Sequence, residues 1–554
     1  MTSHIRRSLW FSTLILALCC GNGLAKDYYV SPRGNDANPG TKGSPWRTIE
    51  RLNSTKFQPG DRILFEGGQT FSGTLQLGSD DSGAPGNKVT VGSYGAGRAV
   101  INGGLGRAIS MDGCNHVLVH DLKLVGAGRK SSNTESGLVM QDVDGIDVDQ
   151  VEVTGFRRNG VEMYGVQNVR LTRVHAHQNG KDGINCSEMY GVENVRRTGP
   201  KRSRNIYVGY CLAENNPGDP TFVKGLSGSG IVLGETDGAL IEYCEARFNG
   251  WDMGWREGNG PVGIWTYDSD KVIMQYNVSH HNRSTTGDGG GFDIDGGVTN
   301  SIMQYNYSHD NFGPGFLICP IGEKRFANNI VRYNISQDDG LKRGVAPIHI
   351  WVTGQDIGPT LIHNNTVFNS QGSAIDFGMP EVNNVKKFPT FLIYNNIFVS
   401  EGPQILYYCL SLSDSTGVKF SKAPKAVEEM GRFLGNLYWG LGGRGFRVGE
   451  YTDLNAWAAA TGQEKIGDRI VGRFADPMLR QEGIGQSIDA NKLASLFEYQ
   501  LLPGSPAIDN GLNLKQLFNI DPGPRDYYGT PLPTDGKLDM GAHQFAVPNP
   551  AKPR

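Results

Sequence analysis

Three near-copies sit in the middle of this 554-residue chain. GIWTYD at residues 263–268 is followed by IMQYNVSHHN, GFDIDG at 291–296 by IMQYNYSHDN, and GFLICP at 315–320 by IVRYNISQDD. A repeat of about 30 residues marks a solenoid, in which each unit buries its apolar side against its neighbours. Length then stops implying several globular domains, because the core grows along one axis. Glycine, 77 of 554 residues, suits a chain that turns a corner every few positions.

Alignment by phase separates core from surface. Each repeat opens with a glycine or its equivalent. Positions two and four after it read Leu138/Met140, Val161/Met163, Ile184/Cys186, Ile231/Leu233, Ile264/Thr266, Phe292/Ile294, Phe316/Ile318, Ile348/Ile350 and Ile375/Phe377. All but Thr266 are apolar, and strands alternate faces with period two, so this face is the predicted core. Later in each repeat stand Cys211, Cys244, Asn277, Asn306, Asn334, Asn365 and Asn396, spaced 33, 33, 29, 28, 31 and 31 residues apart. Stacked asparagines at a corner bond one coil up and down, so the column predicts a ladder. The N-x-[ST] matches at Asn277, Asn306 and Asn334 are then incidental to glycosylation.

Positions three and five must point outward. There the chain places Trp265 and Tyr267, then Asp293 and Asp295, then His349 and Trp351, then Asp376. Aromatic faces beside carboxylates are what a sugar-binding groove requires: rings pack on pyranose faces while carboxylates bind hydroxyls or move protons. Asp293 and Asp295 share one face, about 6.5–7 Å apart at Cα, within reach of either geometry of glycoside hydrolysis. Asp268, Asp288, Asp293 and Asp295 also offer hard oxygen ligands on adjacent coils, a candidate Ca²⁺ set. His349 is expected to orient substrate or shuttle a proton. Glu162 and Tyr164, about four coils away, are expected to form a distal sugar subsite. The loop GWDMGWREGNGP, with Trp251, Trp255 and Arg256, is expected to form one wall of the groove. The bland reading of His280-His281 and His309-Asp310, at one phase of successive coils, is that they are turn residues.

The net charge of −3 leaves no basic excess for nucleic acid or anionic membrane. Arg6 and Arg7, an apolar run from Leu9 to Cys20, and Gly23-Leu24-Ala25 read as a secretory signal with cleavage near Lys26, hence a secreted or periplasmic protein. Six cysteines remain after cleavage, with no zinc spacing; buried free thiols are the expectation.

The rungs, together with the opening YYVSPRGNDANPGTKGSPWRTI, resemble the right-handed parallel β-helix superfamily of pectate lyases and polygalacturonases, over roughly residues 27–410. The stretches GWDMGWREGNGPVGIW and DGGGFDIDGGVTNSIMQYNYSHDNFGPGFLIC resemble one subgroup of secreted bacterial β-helix proteins. The expected organisation is a signal peptide (1–25), an N-terminal cap and first coils (26–106), an all-β right-handed parallel β-helix (107–410) and a C-terminal cap (411–554). The resemblance implies a carbohydrate-active protein acting on a polysaccharide as a monomer. Three activities stay open. The first is a glycoside hydrolase using Asp293 and Asp295, with no cofactor. The second is a lyase with Ca²⁺ on Asp288, Asp293 and Asp295, in which Arg256, Lys342 or Arg343 reaches over as base. The third is a non-catalytic glycan-binding solenoid. The chain lacks the Gly-His-Gly of polygalacturonases and the Arg-x-Pro-x-x-Arg of the best-known pectate lyases.

Overall fold

A computed structural model describes residues 25–187, 202–342, 344–354, 356–379, 391–409, 429–486 and 488–545. The segment read as a secretory signal lies outside the described residues. Each coil runs through an opening, a middle and a closing strand, such as Ile264–Tyr267, Asp270–Gln275 and Val278–His280. The next coil lies parallel and in register, with Ile264 opposite Phe292, Ile273 opposite Ile302 and Val278 opposite Tyr307. Repetition builds an opening sheet of 12 strands and middle and closing sheets of 14 strands each. The fold is the all-β right-handed parallel β-helix that the family resemblance implied for the repeat.

The predicted core positions are all buried, from Leu138 to Phe377. Phe292 and Phe316 stack coil on coil at 5.4 Å between ring centroids. Burying each such side chain stabilises the fold by about 1.5–3 kcal/mol. Thr266, the one polar member, satisfies its hydroxyl by donating to the Leu233 carbonyl at 2.5 Å.

The asparagine column is a ladder. Asn277 Nδ2 donates to Asn306 Oδ1, Asn306 to Asn334, Asn334 to Asn365, Asn365 to Asn396 and Asn396 to Asn436, all at 2.9–3.0 Å. It ends on Glu464, whose Oε1 accepts from Asn436 and from the Tyr438 hydroxyl, both at 2.7 Å. Asn277, Asn306 and Asn334 are fully buried in it. Beside it, Tyr210, Tyr243, Tyr276, Tyr305 and Tyr333 stack in the left-handed backbone region at the corner. A second ladder, Asn179–Asn216–Asn249–Asn282–Asn311–Asp339, lines the corner after the closing strands.

Both ends of the core are covered. Helix Ile49–Asn53, capped by Thr48, lays Ile49 and Leu52 on the first coils. At the other end, strands Gly431–Leu434 and Leu437–Gly440 pair with Phe391–Tyr394 and Ile397–Ser400, so the sheets run past residue 410. Helix Leu454–Thr461 then packs Trp457 against Phe433 and Tyr438. Beyond it the chain folds back along the closing sheet, burying Leu496, Tyr499, Leu501 and Met540 against Tyr307, Ile335 and Ile397. Among the described residues no helix is long and apolar enough to cross a membrane. Cys114, Cys186, Cys211, Cys244 and Cys319 are buried free thiols.

Candidate active site

Register across the opening sheet aligns Trp265, Asp293, Leu317, His349 and Asp376 in one outward row. Position five of the same coils carries Tyr267, Asp295, Cys319 and Trp351. The two rows meet different surroundings. Tyr267, Asp295 and Trp351 reach solvent in part, whereas Trp265, Asp293 and His349 are 8%, 3% and 7% exposed and Asp376 is wholly buried.

The position-three row is covered because residues just before one strand fold over the outward side chain of the next coil. Ser136 donates to Glu162, Ser229 accepts from the Trp265 indole N–H at 3.1 Å, and the Ala346 backbone N–H donates to Asp376 Oδ2 at 2.8 Å. The sequence pattern treats Trp265 and Asp376 as sugar-facing. The structure instead packs Trp265 with Val232 and Val262 and leaves Asp376 holding the His349 ring through Nδ1. Glu162 and Tyr164, expected as a distal subsite, are likewise buried; Glu162 is taken up by Ser136, Arg158, Asn159 and Tyr164.

At Asp293 this pattern breaks. The residue equivalent to Ser136 and Ser229 is Val262, which offers no hydroxyl. Asp293 Oδ1 is buried with no hydrogen-bond partner among the described residues. Burial first, then the charges of Asp295 and Asp288, push the Asp293 carboxyl far above the usual carboxylate range. Burial also raises Asp295, to about 7, with Asp288 adding to the effect and the Gly296 N–H opposing it at 2.6 Å from Oδ1. Cys319 sits beside Asp295, and its own thiol is pushed up by burial and by the same carboxylates. Both shifts favour the protonated form of the pair.

The remaining predicted residues divide. Asp288 accepts from the Gly260 N–H at 2.8 Å, so the end of the Trp-rich loop does reach the acidic cluster. Asp268 lies one coil away and pairs with Lys324 at 2.5 Å. Trp255 is half-buried and its indole nitrogen finds no partner among the described residues; Arg256 is exposed at the loop tip. Trp251 turns the other way. Its indole donates to Asn215, and its ring lines a cavity of about 480 Å³ against the closing sheet with His177, Glu214, Phe248 and Arg283. His349 stacks on Trp351 at 6.1 Å, so the carboxylate pair, the histidine and this ring share one strip of the opening sheet.

This strip suits proton transfer at a site largely shielded from water. Asp288, Asp293 and Asp295 are hard oxygen donors, and Asp293 Oδ1 is unpartnered, but their ligand atoms do not converge within 4.8 Å as those of a metal-binding group do. Among the described opening strands from Leu138 to Met379, no lysine or arginine takes an outward position. The nearby lysines are engaged: Lys324 with Asp268, and Lys342 with the Ser284 carbonyl at 2.8 Å.

The chain is similar to a GH136 lacto-N-biosidase from Eubacterium ramulus at 19% identity and TM-score 0.48, covering 66% of this chain and 65% of that one. Pectate lyase Pel9A matches at 14% identity and TM-score 0.42, covering 95% and 97%. The complex of XylC with xylose matches at 11% identity and TM-score 0.47, covering 94% and 98%. No curated protein matches the sequence significantly. The family described as "Pel9A-like, right handed beta helix region" matches residues 28–334, more than half the chain and all the coils that carry Asp288, Asp293 and Asp295. With its three parallel sheets and buried asparagine ladder, the chain belongs to the Pel9A-like right-handed β-helix family.

Proposed function

We propose that this chain is an exported enzyme that cleaves a polysaccharide by glycoside hydrolysis, using Asp293 and Asp295 as its carboxylate pair. The observation that carries the reading is the placement of two carboxylates two residues apart, Asp293 buried with an unpartnered Oδ1 and Asp295 reaching solvent in part. Burial raises both carboxyls above the ordinary carboxylate range, Asp293 on the opening strand and Asp295 just beyond its end. A general acid at a glycosidic oxygen needs a bound proton, and a second carboxylate must stabilise or attack the anomeric carbon. His349, oriented by Asp376, stands two coils along the same strip and positions substrate hydroxyls. Trp351 and Tyr267, the rings that reach solvent, supply the sugar-stacking faces. The substitution Asp295→Asn tests this: turnover of the cleaved polysaccharide is expected to fall by about 10²–10⁴, and unchanged turnover would reject the pair.

A second reading, a calcium-dependent lyase, is favoured by one observation, the buried Asp293 oxygen without a partner. Asp288, Asp293 and Asp295 would hold the ion, which would supply charge neutralisation of a uronate carboxylate. Among the described residues the reading lacks a base on the strip, since Lys324 and Lys342 are engaged elsewhere and Arg256 sits at a loop tip; Arg343 lies outside the described residues.

A further inference from the structure

The closing sheet carries its own outward row, away from the strip just described. Register aligns His177, Glu214, Arg247, His280, His309 and Gln337. At Gln337 the C-terminal segment covers the row, with the Tyr499 hydroxyl donating to Gln337 Oε1 at 2.7 Å. Next in the row, His309 and His280 are buried, with Tyr307 stacked on His309. The rings of His309 and His280 lie parallel, 4.5 Å apart, and His281 follows at the corner with its backbone in the left-handed region. One ring nitrogen of each of the three lies within 4.8 Å of one ring nitrogen of each of the others, and His280 Nδ1 is 2.8 Å from His281 Nδ1.

From this geometry we infer a transition-metal site of the zinc class, formed by His280, His281 and His309, with water completing the coordination and the Asp310 carboxylate as an outer group on the His309 ring. Imidazole suits Zn²⁺, and a tetrahedral site with Zn–N near 2.0–2.1 Å sets its ligand atoms about 3.3 Å apart. The observed spacing brackets that value, so small side-chain rotations close the set. Asp310 Oδ2 is 2.8 Å from His309 Nδ1. Glu245 Oε1 lies 3.1 Å from His280 Nε2, an outer carboxylate that fixes the ring and leaves Nδ1 toward the ion. Burial pulls all three histidines below their ordinary range. The charged groups facing them are Glu245, Arg247, Arg283 and Asp310. Phe248 packs on His281 at 5.1 Å and also lines the 480 Å³ cavity, so an entry path adjoins the cluster.

Such an ion ties two coils at the corner where the loops to Phe292 and Phe316 begin. The first of these loops carries Asp288. The metal therefore acts as a clip at the base of the candidate active site and takes no part in the proposed hydrolysis.

The test is calorimetric titration of the chelator-treated full-length protein with zinc alone. One equivalent is expected to bind, and cobalt(II) in its place should give the visible absorption of a four-coordinate site. Replacing His309 by glutamine, the residue that follows in the row as Gln337, should abolish binding at this site, as should His281→Asn, which tolerates the corner backbone. Asp310→Asn should weaken it by at least about 10–100-fold. Asp293→Asn should leave it unchanged, which separates the site from the acidic cluster. Absence of binding at excess zinc, or equal affinity in folded His281→Asn and His309→Gln proteins, would overturn the inference.

Discussion

Asp376 holds His349 from the neighbouring coil: one carboxylate oxygen contacts the ring at Nδ1 while the other accepts the Ala346 backbone N–H at 2.8 Å. The ring is thereby fixed with Nε2 turned away from Asp376. On the proposed function, Asp376 acts through His349 as a positioning residue. Replacing Asp376 with asparagine should lower kcat by about tenfold or more with little change in KM, and should shift the pH–rate profile. A fall confined to protein yield, with an unshifted profile, would mark a purely structural contact.

Asp295 links activity to stability through pH. Its folded-state pKa of about 7 lies above the unfolded value near 4, so folding favours the protonated form. That stabilisation is complete below about pH 4 and is lost as pH rises through about 7. Glu464 and Asp339, also raised to about 7 by burial, act in the same direction. Thermal midpoints should therefore fall between pH 5 and pH 8, and Asp295→Asn should flatten part of that fall. An identical slope in the variant would contradict the assigned shift.

Asp293 illustrates a site that costs stability. Its buried oxygen lacks a partner, and an unsatisfied buried group costs about 1–3 kcal/mol. Asparagine at this position replaces a carboxyl that is costly to ionise beside Asp288 and Asp295. Asp293→Asn should raise the thermal midpoint while abolishing turnover, a pairing of effects expected at a functional carboxylate. A lowered midpoint measured by calorimetry would show that the carboxylate instead supports the fold.

The ladder offers a separate check on the fold. Asn306 accepts from the Asn277 backbone and side chain and donates to the Met274 carbonyl and to Asn334. Asn306→Ala strands several buried groups at once and should destabilise the protein by about 3 kcal/mol or more. The reading is a lower urea midpoint; an unchanged midpoint would show that the coils tolerate a broken ladder.

Much of this architecture is legible in the sequence, for physical reasons. Period-two alternation exposes the core of the opening sheet from Leu138 to Phe377, and invariant corner geometry exposes the Asn277–Asn396 column. The second ladder was hidden because Asn282 and Asn311 end strings dominated by histidine and aspartate. The burial of Trp265 and Asp376 was also hidden. It depends on Ser229 and Ala346 folding across from the preceding coil, a lateral contact that no repeat phase encodes. The cover on the closing sheet did leave a trace: Tyr307, Ile335 and Ile397 are apolar at outward positions of their strands. Their covering partner, some hundred residues downstream, carries no matching period.

The chemistry of the cut bond tests the central claim most directly. Purified protein is incubated with a panel of neutral and acidic polysaccharides, with and without chelator, and the products are read both for new reducing ends and for ultraviolet absorbance of an unsaturated sugar. The account predicts reducing ends without unsaturation, unaffected by chelator and lost in Asp295→Asn. Unsaturated products that vanish on chelation would contradict it and establish the lyase.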